Sequence, residues 1–191
     1  AARAVRTEGE PIIAMGHLYM VGGEISALSE RKVLGGNQHA LPVTIFPNDV
    51  AYVALGHLHK AQSVGGIPHV RYAGSPMPLS TTEASYTHQV LSVRITRDGA
   101  THVTSHHVPR MADIVRIPTS GAASPAEVLS LLAALPDKDS IEPWRAPFVD
   151  IHVALVAPEP GFVGAVHDAL TSRAARLVRI ERVRGGTGAS L

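Results

Sequence analysis

The sequence predicts a mixed α/β (α+β) fold in two consecutive parts, and three observations carry that prediction. Two short apolar runs end in glycine and histidine: Pro11–Met15 leads into Gly16-His17, and Val53–Leu55 leads into Gly56-His57-Leu58-His59. Asp98-Gly99 separates two further stretches of strand character. Beyond about Asp113, a segment at helical spacing is followed by a strictly alternating one.

Taken in order, strands are expected at 12–15, 50–55, 69–73, 89–97 and 101–108, each an apolar or alternating run bounded by turn chemistry. The span 22–49 carries Gly22-Gly23, Gly35-Gly36, Pro42 and Pro47. It reads as a long irregular excursion, a kind of loop that is usually functional or mobile. Asp98-Gly99 is a two-residue hairpin signal. A short strand at 114–117 precedes Ser124-Pro125-Ala126-Glu127, a capping box with proline at the first helical position. Val128, Leu131, Leu132 and Leu135 then fall at helical spacing, and Pro136 ends the helix. Val149, Ile151, Val153 and Leu155 alternate with Asp150, His152 and Ala154, the pattern of a half-buried strand. A helix around 161–171 and a strand around 176–183 follow, and Gly185-Gly186-Thr187-Gly188 reads as a linker or frayed end. The domains expected are therefore 1–110, 111–184 and a tail, 185–191.

Bulk composition excludes several classes. The 191 residues are 45% hydrophobic, enough for real cores, but only 4% aromatic, so packing relies on Ala, Val, Leu and Ile. A formal charge of +1 gives no global electrostatic case for nucleic acid, so any basic surface must be local. Without cysteine there are neither disulfides nor thiolate metal sites, which suits a cytoplasmic location. The apolar runs are too short to span a bilayer, and no signal-peptide pattern opens the chain. The chain starts at Ala1, without an initiator Met, in a segment resembling the tail of a helix, and is expected to be cut from something longer.

The chemistry lies with the histidines. Neutral imidazole is a common metal ligand, and residues two apart on an extended strand share a face, so His57 and His59 can address one cleft. His17, at a second strand end, adds a third ligand. A lone histidine at a strand end is more often structural; the repeated pattern is what argues for metal. A binuclear phosphoesterase site also needs carboxylates, one bridging metals about 3.5–4 Å apart, and none of the seven aspartates sits at a strand end in a usable pattern. Three histidines alone could hold one zinc. Gly36-Asn37-Gln38-His39 resembles an Asn-His ligand motif, but the inserted Gln and the absence of a preceding strand argue against it. His106 and His107 face opposite sides of a strand. His39, His69, His88, His152 and His167 read as ordinary loop, edge or polar-face residues. Arg173, Arg176, Arg179, Arg182 and Arg184 form a basic run with Glu181 as its only acid. A solvated face is the plain reading, and phosphate contact the functional one.

Several blocks together resemble the bacterial SbcD nuclease subunits. They are Gly16-His17-Leu18 with Val21-Gly22-Gly23, then Ser29-Glu30-Arg31 with Val33-Leu34-Gly35-Gly36, then Tyr52 through Gln62. Val70-Arg71-Tyr72-Ala73-Gly74-Ser75-Pro76 and Pro78-Leu79-Ser80 complete the set. The specific motifs cover roughly 12–97. The resemblance implies the carboxyl-terminal half of a calcineurin-like metallophosphoesterase: part of its four-layer β-sandwich over 1–110, then a small α+β capping domain over 111–184. It implies a nuclease that uses two divalent metals, Mn²⁺ foremost, to hydrolyse DNA phosphodiesters as exonuclease and endonuclease in DNA repair, recombination and replication. An SbcC-type ATPase partner and a homodimer are implied as well. His17 and His57 would ligate one metal and His59 the other, with Arg71, Ser75, Arg176, Arg179 and Arg182 as candidate DNA contacts. The resemblance places the family's Asp-x-His, Gly-Asp and Gly-Asn-His-Asp motifs in the amino-terminal half of such proteins, outside the blocks matched here, so no catalytic residue is assigned and the chain alone is expected to be inactive. Ser80-Thr81 lacks the usual following Phe, and His88 stands where the family often has Lys. Two alternatives remain open: a phosphoesterase acting on nucleotides or phosphoproteins, and a non-catalytic module that binds DNA or a partner.

Overall fold

Alternate apolar positions on three parallel strands build the first half of the molecule. The computed structural model describes residues 7, 9–25 and 40–184, and the chain divides into two units at Pro109/Arg110. The blocks at 29–31 and 33–36, the Asn-His look-alike at 36–39 and the 185–191 tail lie outside the described residues.

In the first unit, β1 (Ile12–His17), β2 (Val50–Gly56), β3 (Gln62–Val64) and β4 (Ile67–Tyr72) form one sheet in the order β1-β2-β4-β3. β1, β2 and β4 are parallel, and β3 is antiparallel to β4. Ala14 aligns with Val53, and Val53 with Val70. This side-by-side register places Val53, Val70, Leu55 and Tyr72 in one core with Val50, Val64, Leu58 and Met20. On the other face Ile13 and Met15 stand exposed. The three-residue β3 is an element the apolar pattern did not reveal. Its signal is Gly65-Gly66, whose φ values of 60° and 71° supply the two left-handed residues of a tight hairpin turn.

The long excursion after β1 is tied at both ends. Val21 donates to the Leu41 carbonyl at 3.0 Å, and Leu41 donates to that of Tyr19 at 2.8 Å. Beneath them the fully buried Tyr72 accepts from the Met20 amide at 3.0 Å and donates to the Leu18 carbonyl at 2.6 Å. Burial raises the pKa of that phenol, opposed by the Met20 hydrogen bond.

β5 (Gln89–Ile95) and β6 (Thr101–His107) make an antiparallel hairpin. Its loop differs from the two-residue turn expected. Thr96 donates to the Ala100 carbonyl at 3.0 Å and Gly99 to that of Thr96 at 2.9 Å, leaving a three-residue loop, 97–99. A two-residue type I′ turn needs positive φ at both central residues. Here Gly99 takes φ 83°, while Asp98 stays out of that region and accepts from the Thr96 hydroxyl.

The second unit is a β-α-β-α-β run: β7 (Ile114–Ile117), α1 (Pro125–Ala133), β8 (Phe148–Leu155), α2 (Phe162–Leu170) and β9 (Arg176–Arg184). All three strands are parallel, in the order β7-β8-β9. Ser124 and Glu127 form the reciprocal capping box, with Pro125 beside them in the first turn. Val128 and Leu132 of α1 join Phe162 and Val166 of α2 over Val149, Ile151 and Val153, so both helices pack on one face. The mixed α/β class expected of the chain is what is observed. Among the described residues no helix is long and apolar enough to cross a membrane.

Candidate metal centre

The parallel pairing of β1 with β2 sets His17 beside Gly56, so His17 and His57 emerge at neighbouring strand ends. The His57 Nδ1 and His17 Nε2 atoms lie 3.3 Å apart, and the rings meet edge to face with centroids 5.1 Å apart. Gly56 eases this approach, because a Cβ there would sit 3.1 Å from His17 Nδ1 and the ring would have to shift slightly. His57 has φ 105°, the only non-glycine residue with positive φ among those described. Such backbone costs about 1–3 kcal/mol and persists where the surroundings over-determine it, often at functional sites.

His59 is held differently. Its carbonyl accepts from the Ser75 amide at 3.0 Å, and its Nδ1 lies 2.8 Å from Glu83 Oε1. Glu83 has no exposed surface. Its other oxygen accepts from the Leu79 amide at 3.1 Å and the Ser75 hydroxyl at 3.3 Å. Gly74 allows the contact: φ is 82°, and a Cβ would stand 2.9 Å from both the His59 carbonyl and the Ala61 amide nitrogen. His88 closes the group, its Nδ1 3.1 Å from the Ser75 carbonyl and its Nε2 buried without a hydrogen-bond partner. The Lys60-Ala61-Gln62 part of the motif has a tethering role. Gln62 accepts from the Glu24 amide at 2.8 Å and donates to its carbonyl at 2.9 Å, and Lys60 pairs with the Glu24 carboxylate.

Of the three histidines expected at a metal, His17 and His57 are thus in contact, while His59 is anchored on Glu83. Among the described residues no group of three or more His, Asp or Glu is disposed to hold an ion. As a pair, His17 and His57 have the nitrogen separation that two ligands of one ion would need. Two nitrogens bound at about 2.0–2.1 Å and a tetrahedral angle stand about 3.3–3.4 Å apart.

The candidate DNA contacts separate. Ser75 is buried in the Glu83 network. Arg71 lines a groove of about 790 Å³ with His69, Arg97 and Asp98, and its Nε is buried without a partner. Arg176 donates to the Ala146 carbonyl at 2.6 Å and stacks on Phe148, its guanidinium carbon 3.8 Å from the ring centre. Arg179 grips Asp150 through both oxygens, at 2.9 and 2.7 Å, and reaches Glu181 at 3.0 Å. The Asp150 hydrogen bond raises its pKa further. Arg182 is exposed on β9. His152, read as an ordinary polar-face residue, is buried between Asp150 and Glu181, 3.4 and 3.6 Å away.

Sequence reasoning passed over Glu83. The available signal was Ser80-Thr81-Thr82-Glu83, a Ser-x-x-Glu box whose serine does cap the short turn that follows.

His17 and His57 stand at the ends of two paired parallel strands of a mixed α/β fold, the place where α/β proteins commonly build ligand sites. No protein-family profile matches it. Among curated proteins it is 38% identical to the SbcD subunit of the SbcCD nuclease from Rhodobacter capsulatus, over 97% of this chain and 45% of that protein. It is 48% identical to the protein of the same name in Escherichia coli K12, over 42% of this chain and 20% of that protein. For Bacillus subtilis the figures are 40%, 42% and 21%. The chain belongs to the SbcD nuclease-subunit family, and it spans less than half the length of these relatives.

Proposed function

We propose that the chain supplies part of the two-metal centre of an SbcD-type metallophosphoesterase that hydrolyses DNA phosphodiesters. The observation that carries this reading is the 3.3 Å approach of His57 Nδ1 to His17 Nε2 at two paired strand ends. His17 and His57 would hold one divalent ion and His59 the second. When bound, such a pair of ions activates water and stabilises the departing oxygen of an in-line displacement. The protein's own contribution here is orientation: β1-β2 pairing brings two imidazoles into contact, and the 74–83 segment holds the third. Histidine nitrogens alone suit Mn²⁺ poorly, since it prefers oxygen donors. Carboxylates from other segments of the full-length protein would complete the site.

Within this reading the first unit is part of the nuclease domain and the second is a cap that helps orient DNA. Arg182, exposed on its strand, is proposed as a phosphate contact, whereas Arg176, Arg179 and Ser75 serve the fold. Arg71 is proposed as a DNA contact through its groove. The name shared by the relatives, which makes each of them one subunit of an SbcCD nuclease, supports an SbcC-type ATPase as partner, and a homodimer is proposed for the intact complex. A cytoplasmic location is proposed on the same grounds.

The test is made on the full-length nuclease. His59→Ala should lower Mn²⁺-dependent cleavage of duplex DNA by more than about 100-fold, because losing a ligand exceeds the 10- to 100-fold cost of losing a ligand's support. The 191-residue chain alone should bind Mn²⁺ weakly and leave duplex DNA intact. Robust metal-dependent cleavage by that chain, or an undiminished His59→Ala enzyme, would overturn the proposal.

A further inference from the structure

We infer that Glu83 is the positioning residue of His59, setting both the tautomer and the ring orientation of that imidazole. The inference builds on the reading of His59 as a metal ligand, although its first arm stands without it. An ionised Glu83 can only accept a hydrogen bond, so beside a neutral His59 the 2.8 Å contact with Oε1 puts the proton on Nδ1 and the lone pair on Nε2. In that state Nε2 is the nitrogen through which His59 would ligate. Carboxylates in this relation to a ligating histidine fix its orientation and raise its basicity.

Three further observations show that Glu83 is built for this contact and is not a chance neighbour. Its carboxyl group is fully buried, and the hydrogen bonds it receives offset the cost of that placement. The Leu79 amide and the Ser75 hydroxyl both donate to Oε2, which turns Oε1 toward His59. The same segment also grips the His59 main chain, through the Ser75 amide and through the close pass that Gly74 permits. One stretch, 74–83, therefore holds both ends of one residue. His17 and His57, by comparison, rest against each other.

The experiment has two arms. In the 191-residue chain without metal, long-range ¹⁵N–¹H spectra report which imidazole nitrogen of His59 carries the proton. The native chain should show Nδ1–H. Glu83→Gln, whose amide oxygen is drawn to the Leu79 and Ser75 donors and whose NH2 then faces His59 Nδ1, should move the proton to Nε2, and Glu83→Ala should let it redistribute there. A native Nε2–H pattern, or a His59 signature indifferent to Glu83→Ala, overturns the inference. Because the native spectrum alone decides the tautomer, a poorly folded alanine variant does not stall the test. In the second arm, Mn²⁺ affinity of the full-length nuclease is measured by calorimetry. Glu83→Ala should weaken it by about 10- to 100-fold, and Glu83→Gln, which puts the proton on Nε2, by at least as much. A tautomer that shifts while Mn²⁺ affinity holds supports the positioning of His59 by Glu83 and sinks the assignment of His59 as a ligand, so the two ideas fail separately.

Discussion

His57 occupies a backbone conformation that a glycine would take without cost, and its φ of 105° sets up a trade between stability and site. Relief of the strain is worth about 1–3 kcal/mol, while the extra freedom of glycine in the unfolded chain takes back about 0.4–1 kcal/mol. His57→Gly should therefore unfold at the same or a higher temperature, yet lose the nitrogen that faces His17. A clear fall in melting temperature would show that the imidazole, not the strain, dominates the local energy. The same residue explains what was legible at this scale. Strand, glycine and histidine are contiguous in sequence, so the pattern at 53–59 announced itself. Glu83 did not, because its bond to His59 spans 24 residues and depends on a turn whose inward tilt no local pattern records.

At the scale of elements, the arginines of β9 divide by what lies across the strand. Register sets Arg179 against Asp150 on β8, where the carboxylate is 4% exposed. Removing one partner of such a pair strands a buried charge, so Arg179→Ala should destabilise the second unit by about 3 kcal/mol. Arg182→Ala, on an exposed side chain, should stay within about 0.5 kcal/mol. Urea unfolding of the two variants compares them directly; equal effects would mean that the Asp150 pair adds nothing to stability. The alternation of β8 was readable because period two is a strong local signal. Which arginine is held by the fold was not, since Asp150 is 29 residues from Arg179 in sequence. β3 escaped because three residues are too few to show any period, and only the Gly65-Gly66 turn marked it.

At the scale of the whole molecule, the chain spans 45% of the length of its Rhodobacter relative, so the proposed DNA binding is tested on the full-length protein. There, each lost phosphate contact should lower the slope of log affinity against log salt by about 0.9. Arg182→Ala is expected to show that decrement, and Arg176→Ala, whose guanidinium is taken up by the Ala146 carbonyl and the Phe148 ring, is not. A slope unmoved by Arg182→Ala would reduce that residue to ordinary solvated surface. The family was readable because its motifs are clustered within 12–97. The partition of roles among the basic residues required the folded register.

The alignment of β1 on β2 carries one more consequence. His17 lies beside Gly56 in a parallel ladder, and sliding either strand by one residue would turn every side chain to the opposite face. Any ion gripped by both imidazoles therefore recognises one alignment and rejects its neighbours. At a hundred times its dissociation constant it would favour the correct alignment by about 2.7 kcal/mol. The ion would thus proofread strand pairing before it takes part in any chemistry.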